Sequence, residues 1–138
     1  MAHEECIFCK VLAGEIPAQM VDEDEHTVAF MDINPWTRGH ALVVPRNHSR
    51  NLYDIDEPDL HHTMSAAQRL AKLMKHNLGC DGVNLINSSE PAAWQTVFHF
   101  HVHVIPRYAG DPLQLPTRPE PADPGELEKV AQELRDGD

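Results

Sequence analysis

Three histidines in the stretch V-F-H-F-H-V-H-V-I-P-R, residues 97–107, alternate with apolar residues. Successive side chains of a β-strand point to opposite faces, so a strand here puts His99, His101 and His103 on one face and Phe98, Phe100, Val102 and Val104 on the other. A helix would scatter the imidazoles, and β-branched and aromatic residues suit a pleated surface, so the stretch reads as a strand. Pro106, which has no N–H for a ladder, is expected to stop it. Aligned imidazoles support two chemistries. One is metal ligation by His-x-His; the other is a nucleophilic imidazole flanked by imidazoles that handle charge.

A second group of reactive residues opens the chain. Cys6 and Cys9 form a Cys-x-x-Cys pair in a short helical segment expected to end near Gly14. The pair has three readings: thioredoxin-type redox, two unrelated buried thiols, or two zinc ligands completed from elsewhere. The redox motif belongs after a strand in a βαβ context, which is missing here. Zinc needs two further ligands, and ten histidines offer them. Cys80 reads as a small buried apolar residue near a helix end.

The elements that must position these residues follow from periodicity and punctuation. Residues 18–31 read as a hairpin with an acidic turn at Asp24-Glu25 and with Val28 and Phe30 on one face. Asp32-Ile33-Asn34-Pro35 breaks the ladder. H-A-L-V-V-P, residues 40–45, is an almost continuous apolar strand of the kind found at a sheet centre, and His48 follows in a loop. One long helix runs from Asp56, its N-cap, to Leu78, with Leu60, Met64, Ala67, Ala71, Met74 and Leu78 as its core stripe. His61, His62 and His76 read as surface residues of that helix. Residues 82–87 form another short strand, and a loop from Ser88 to Trp94 leads into the histidine stretch. After Arg107 the chain turns to Pro, Asp and Gly, a loose connection. A last helix starts at Asp123 and Pro124 and is expected to carry Leu127, Val130, Ala131 and Leu134 inward. This order predicts one α+β domain, residues 1–138, with a mainly antiparallel sheet.

Composition narrows the function. A chain of 138 residues builds one core, and a net charge of −11 without a Lys/Arg cluster argues against long nucleic acid as a partner. A small anion held by backbone N–H groups remains compatible with that charge. The polar start M-A-H-E-E-C and the absence of a run of roughly 20 apolar residues predict a protein that neither crosses nor enters a membrane. Three cysteines are too few for a disulfide framework, which points to the cytoplasm.

The H-F-H-V-H-V-I segment resembles the His-φ-His-φ-His-φ-φ signature of the histidine triad (HIT) superfamily, φ being apolar. The blocks C-I-F-C-K, A-G-E-I-P-A, A-F-M-D-I-N-P, G-H-A-L-V-V-P-R-N-H and Q-T-V-F-H are similar to the family's surrounding motifs in their usual order. The resemblance covers residues 6 to about 107, leaving 108–138 as a variable segment. It implies a HIT-like α+β fold: a mainly antiparallel five-stranded sheet, one long helix, a short N-terminal helix and a C-terminal helix.

The family attacks an α-phosphorus through a histidine, so the resemblance implies a nucleotidyl-imidazole intermediate on His101. An imidazole with a pKa near 6.5 is largely neutral at pH 7, and the P–N bond it forms is labile enough for water to cleave. His103 and His40 match positions beside the phosphate, where they stabilise charge or protonate the leaving group. Gln95 and Thr96 match the phosphate-contacting pair, and Asp32 the residue that accepts from ribose hydroxyls. Phe8, Val11, Ile16, Phe30 and Ile33 match the apolar wall of the base pocket. Asn87 stands where the family has a ribose or phosphate contact, but Asn87-Ser88-Ser89 and Ala93-Trp94 replace the usual glycines of this loop. Trp94 then either covers the pocket mouth or anchors the loop.

In a zinc-bearing branch of the family the metal is held by residues matching Cys6, Cys9, His48 and His99. The set is closed, so the resemblance implies a structural zinc and no organic cofactor. It also implies a homodimer with the long helix at the interface. The leading function is hydrolysis of nucleoside phosphoramidates, acyl-nucleotides or dinucleoside polyphosphates, with a purine nucleotide preferred by analogy. A phosphorylase or nucleotidyltransferase shares the same intermediate, although His103 argues against the uridylyltransferase branch, which has glutamine there. A nucleotide-binding module with incidental catalysis and a three-histidine metal hydrolase are the remaining alternatives; the last leaves the cysteines unexplained.

Overall fold

A computed structural model describes residues 5–115 and 119–136 of the chain. In order they form α1 (Ile7–Leu12), β1 (Met20–Glu23), β2 (Thr27–Met31), β3 (Ala41–Pro45), α2 (Glu57–Leu78), β4 (Gly82–Ile86), a 3-10 turn at Pro91–Ala93, β5 (Val102–Arg107) and α3 (Pro124–Asp136). The five strands pair antiparallel in the order β1-β2-β3-β5-β4. This is the α+β architecture expected. The polar start at residues 1–4 and part of the connection after Arg107, residues 116–118, lie outside the described residues.

Apolar residues at consecutive positions of β2 and β3 feed two cores, because alternate side chains leave on opposite faces. Ala29, Ala41, Val43, Val102 and Val104 pack with Phe100 under Ala66, Ala67, Leu70 and Met74 of α2, where Cys80 is buried too. Val28, Phe30, Leu42 and Val44 pack on the other face against Phe8 and Val11 of α1. The site lies on this second face.

Four expectations need correction. First, β5 begins only at Val102, so His99 and His101 lie in an irregular approach to the strand. Pairing with β3 ends at Val43 and Val102, and local partners take the backbone before it: the Phe100 N–H bonds the Ser49 carbonyl, and the His101 carbonyl accepts from Asn87 Nδ2. The side chains still alternate, Phe100 entering the α2 core while the imidazoles face α1.

Second, Pro106 does not stop β5, which continues to Arg107 opposite β4. N–H and C=O of one strand residue point the same way, and the Pro106 carbonyl accepts from Thr37 Oγ1 at 2.6 Å, beyond the end of the β3 pairing. The missing N–H therefore faces no ladder partner.

Third, the buried face of α2 takes in the expected Leu60, Ala67, Ala71, Met74 and Leu78 but not Met64, and extends to residues on its other side. Asp56 caps it as expected, Oδ1 accepting from the Asp59 N–H at 2.9 Å, but Thr63, Ala66 and Leu70 are buried and Met64 is exposed. Thr63 can be buried because its hydroxyl donates to the Asp59 carbonyl at 2.7 Å. Fourth, α3 carries no buried residue: Leu127, Val130 and Leu134 are exposed. Its Asp123 cap forms, Oδ2 accepting from the Glu126 N–H, yet the sheet faces are already filled by α1 and α2 and leave it no core to enter.

Candidate active site and metal centre

The backbone fixes the protonation pattern of each imidazole. A carbonyl only accepts, so His101 Nδ1, 2.7 Å from the His99 carbonyl, carries the hydrogen and leaves Nε2 with its lone pair. His99 Nε2 donates in the same way to the Pro45 carbonyl at 2.8 Å, leaving Nδ1 as the free lone pair. His40 Nδ1 accepts from the Trp36 N–H at 3.0 Å, so its hydrogen sits on Nε2 and points at His103 Nδ1, 2.9 Å away. Accepting there, His103 keeps its hydrogen on Nε2. The row thus presents a nucleophilic nitrogen on His101 and a donor on His103, with His40 behind it.

Burial keeps all four neutral. It pushes His99 down to about 4, opposed by the bond to the Pro45 carbonyl. His103 is likewise pushed down to about 4 by burial, with His101 and His40 adding and the Asp32 carboxylate opposing. The same burial lowers His101 and His40. Asp32 lies 3.5 Å from His40 Nε2 and 3.7 Å from His103 Nδ1, and its other oxygen accepts from the Asn34 N–H at 2.8 Å.

A cavity of about 530 Å³ opens beside this row. Phe8, Val11, Ile16, Phe30 and Ile33 line it together with Asp32, Thr96, His101 and His103, so most of the expected site residues converge there. Phe8 meets Phe30 edge-on at 5.5 Å and His101 at 5.0 Å, which joins the apolar wall to the imidazole row. A cavity of similar size, about 540 Å³, lies between α2 and β1–β3; its lining is mostly apolar and carries none of the site residues.

Two expected contacts are placed differently. Gln95 is buried with its amide fully engaged: Nε2 donates to the carbonyls of Arg50 and Val97, and Oε1 accepts from the Glu90 N–H and Asn51 Nδ2. It shapes the loop before Thr96 and does not line the cavity. Asn87 also stays outside the lining, its Nδ2 holding the His101 carbonyl at 2.8 Å.

The loop has a hub that the sequence reading missed. Glu90, at φ 78° and ψ 155°, receives a two-pronged bond from Arg50 at 2.8 and 2.9 Å and another from Asn51 at 2.6 Å. Such backbone angles are strained outside glycine and need support of this kind. Trp36 was missed as well, although it sits between Asp32 and His40 in sequence; it lines the cavity and lies nearly parallel to the His103 ring, 13° apart at 6.0 Å. Trp94 also lines the cavity and is 68% exposed, which favours the pocket mouth over the loop anchor.

Behind the row, Cys6, Cys9, His48 and His99 gather their donor atoms within 4.8 Å of one another. The Cys6 and Cys9 thiols come from the first turn of α1, which the Cys6 side chain caps by accepting from the Cys9 N–H. Sulfur lies 3.4 Å from nitrogen in Cys6–His99 and Cys9–His48, and 3.5 Å in Cys9–His99. A tetrahedral zinc, about 2.3 Å from sulfur and about 2.1 Å from nitrogen, sets S···N edges of about 3.6 Å. The spacing, the two thiols and the free Nδ1 of His99 fit that ion.

Asp32, His40 and His103 are gathered as closely. Their atoms do not fit a metal in the same way: His40 Nε2 carries a proton as long as Trp36 holds Nδ1, and a ligand nitrogen must offer a lone pair.

The HIT domain family matches residues 13–110, and the chain belongs to that family. The solved structure of a HIT family member from Bacillus subtilis is 34% identical, with a TM-score of 0.89 over 97% of each chain. A zinc-bound histidine triad family protein from Mycobacterium smegmatis is 37% identical, with a TM-score of 0.78 over 96% of each chain. A relative named adenosine 5'-monophosphoramidase, from Saccharomyces cerevisiae, is 41% identical over 102 residues, which is 74% of this chain and 62% of that protein.

Proposed function

We propose that this chain is a nucleotide hydrolase that cleaves at an α-phosphorus through a nucleotidyl intermediate on His101 Nε2. The observation that carries the reading is the bond from His101 Nδ1 to the His99 carbonyl, which leaves a neutral nucleophilic nitrogen facing the cavity. In the first step the Nε2 lone pair forms a bond to phosphorus while the bond from phosphorus to the leaving atom breaks, the electron pair departing with that atom. His103 Nε2–H donates a hydrogen bond to that atom, with His40 donating to His103 from behind, and the atom takes its proton from solvent water. Water then attacks phosphorus, the P–N bond breaks, the proton lost by water returns to solvent, and nucleoside monophosphate leaves.

Asp32 receives the ribose hydroxyls, Thr96 the phosphate, and the wall of Phe8, Val11, Ile16, Phe30 and Ile33 the base. The yeast relative's name favours adenosine and a phosphoramidate among phosphoramidates, acyl-nucleotides and dinucleoside polyphosphates. Rapid quench of wild-type protein with α-labelled adenosine phosphoramidate is expected to trap label on protein, and His101→Ala to trap none while losing at least about 10⁴-fold in turnover. Label on the variant, or comparable turnover by it, rejects the intermediate.

Zinc at Cys6, Cys9, His48 and His99 serves the fold, since the set leaves no open position. A second copy is the proposed cover for exposed Met64 and Leu73 of α2 and Leu85 of the edge strand β4. Light scattering is expected to give a dimer mass, and a monomer at micromolar concentration rejects that cover.

A further inference from the structure

We propose that Trp36 and Trp94 form an aromatic clamp that selects nucleotides whose leaving group carries a flat aromatic ring system. The inference rests on the hydrolase reading above and adds the class of leaving group. Both tryptophans of the chain line the catalytic cavity, and neither is buried: Trp36 is 46% and Trp94 68% exposed. Large aromatic side chains left out of the core at a pocket present a face for a ligand to stack on.

Trp94 sits at φ 76° and ψ 19°, a left-handed conformation at ease for glycine and strained for a bulky residue. Its turn is closed by the backbone bond from Trp94 N–H to the Pro91 carbonyl at 3.0 Å, which any residue makes. The turn does not need the indole, and the indole fills no core position. A ligand in the cavity accounts for both.

The order of ring contacts places Trp36, and Trp94 lines the same cavity. Phe8 meets His99 at 6.0 Å and His101 at 5.0 Å, whereas Trp36 meets His103 at 6.0 Å and His40 at 5.5 Å. Phe8 of the apolar wall therefore adjoins one end of the imidazole row and Trp36 the other. A leaving atom that accepts the hydrogen bond from His103 brings its substituent to the Trp36 end. Aliphatic and aromatic substituents both fit by volume, but only a flat ring gains the stacking.

Two adenosine phosphoramidates that differ only in the amine, naphthylmethyl against cyclohexylmethyl, read this out. Wild type is expected to favour the naphthylmethyl compound about tenfold in kcat/KM, the scale of one aromatic stack. Trp94→Gly, which also removes the strain, should lower the ratio, and Trp36→Leu/Trp94→Gly should bring it to within about twofold of one. Trp36→Leu keeps the N–H that holds His40, and Trp94→Phe should retain most of the preference. The preference for adenosine over uridine with one amine should stay constant across the series, because the base lies at the Phe8 end.

A wild-type ratio near one, or a ratio that survives loss of both indoles, overturns the clamp while leaving the hydrolase reading intact. So does a base preference that collapses with the indoles while the amine ratio holds. Absence of turnover of either compound overturns the hydrolase reading and the clamp together.

Discussion

Two clusters flank the same histidine row, and each brings metal-capable side chains within 4.8 Å of one another. In Cys6, Cys9, His48 and His99 the free lone pair of His99 points at the thiols, because its proton is committed to the Pro45 carbonyl. In Asp32, His40 and His103 a backbone N–H takes the outer nitrogen of His40, so protons occupy the space between the residues. Proximity of ligand types is the same in both, and backbone hydrogen bonding leaves lone pairs that fit an ion in one and protons between the residues in the other. A histidine cluster is therefore read by asking which carbonyl or amide holds the far nitrogen.

Breaking each cluster in turn should give opposite signatures. Replacing His40 by Phe removes the donor behind His103 and should lower kcat by about 10²-fold, measured in steady state with adenosine phosphoramidate, with zinc content unchanged. Replacing Cys9 by Ser should cut zinc from about one per chain to a trace by elemental analysis and lower the melting temperature by about 10 °C. Activity of Cys9→Ser at low temperature should fall far less than that of His40→Phe. Zinc bound by wild type beyond one equivalent, with activity depending on it, would break the contrast between the clusters.

Acid should sharpen the comparison further. The His103 imidazole is held near 4 by burial, while the unfolded chain titrates it near 6.5. Between these values the unfolded state binds a proton that the native state lacks, so stability is full above about pH 6.5 and falls as pH drops towards 4. Urea midpoints of Cys9→Ser at pH 7.5 and pH 5 isolate this effect from acid release of zinc, and the midpoint should be lower at pH 5. An unchanged midpoint would show that burial does not hold the row neutral.

Much of this was legible from residue order. Alternation in residues 97–107 revealed a common face for three imidazoles, Asp56 announced the start of α2, and the resemblance to the zinc-bearing branch named the four Cys and His residues whose donor atoms the fold gathers. What stayed hidden depends on partners far along the chain. Gln95 was expected at phosphate from its match to the family's pair, and nothing local shows that Arg50, Asn51 and Glu90 occupy its side-chain amide. The burial of Thr63 where Met64 was expected depends on a hydroxyl satisfied by its own helix, which an apolar stripe cannot display. The α3 stripe was read as inward because amphipathicity shows that a face is apolar and not whether a surface is vacant to receive it.

His99 belongs to both sites through different atoms of one residue: Nδ1 faces the thiols, and its carbonyl orients His101. The bond from its other nitrogen to Pro45 ties the residue to β3 independently of any ion. This double attachment is a form of mutational insurance. Loss of a thiol would leave the His99 carbonyl held in place, so the orientation of His101 need not depend on an ion at the thiols.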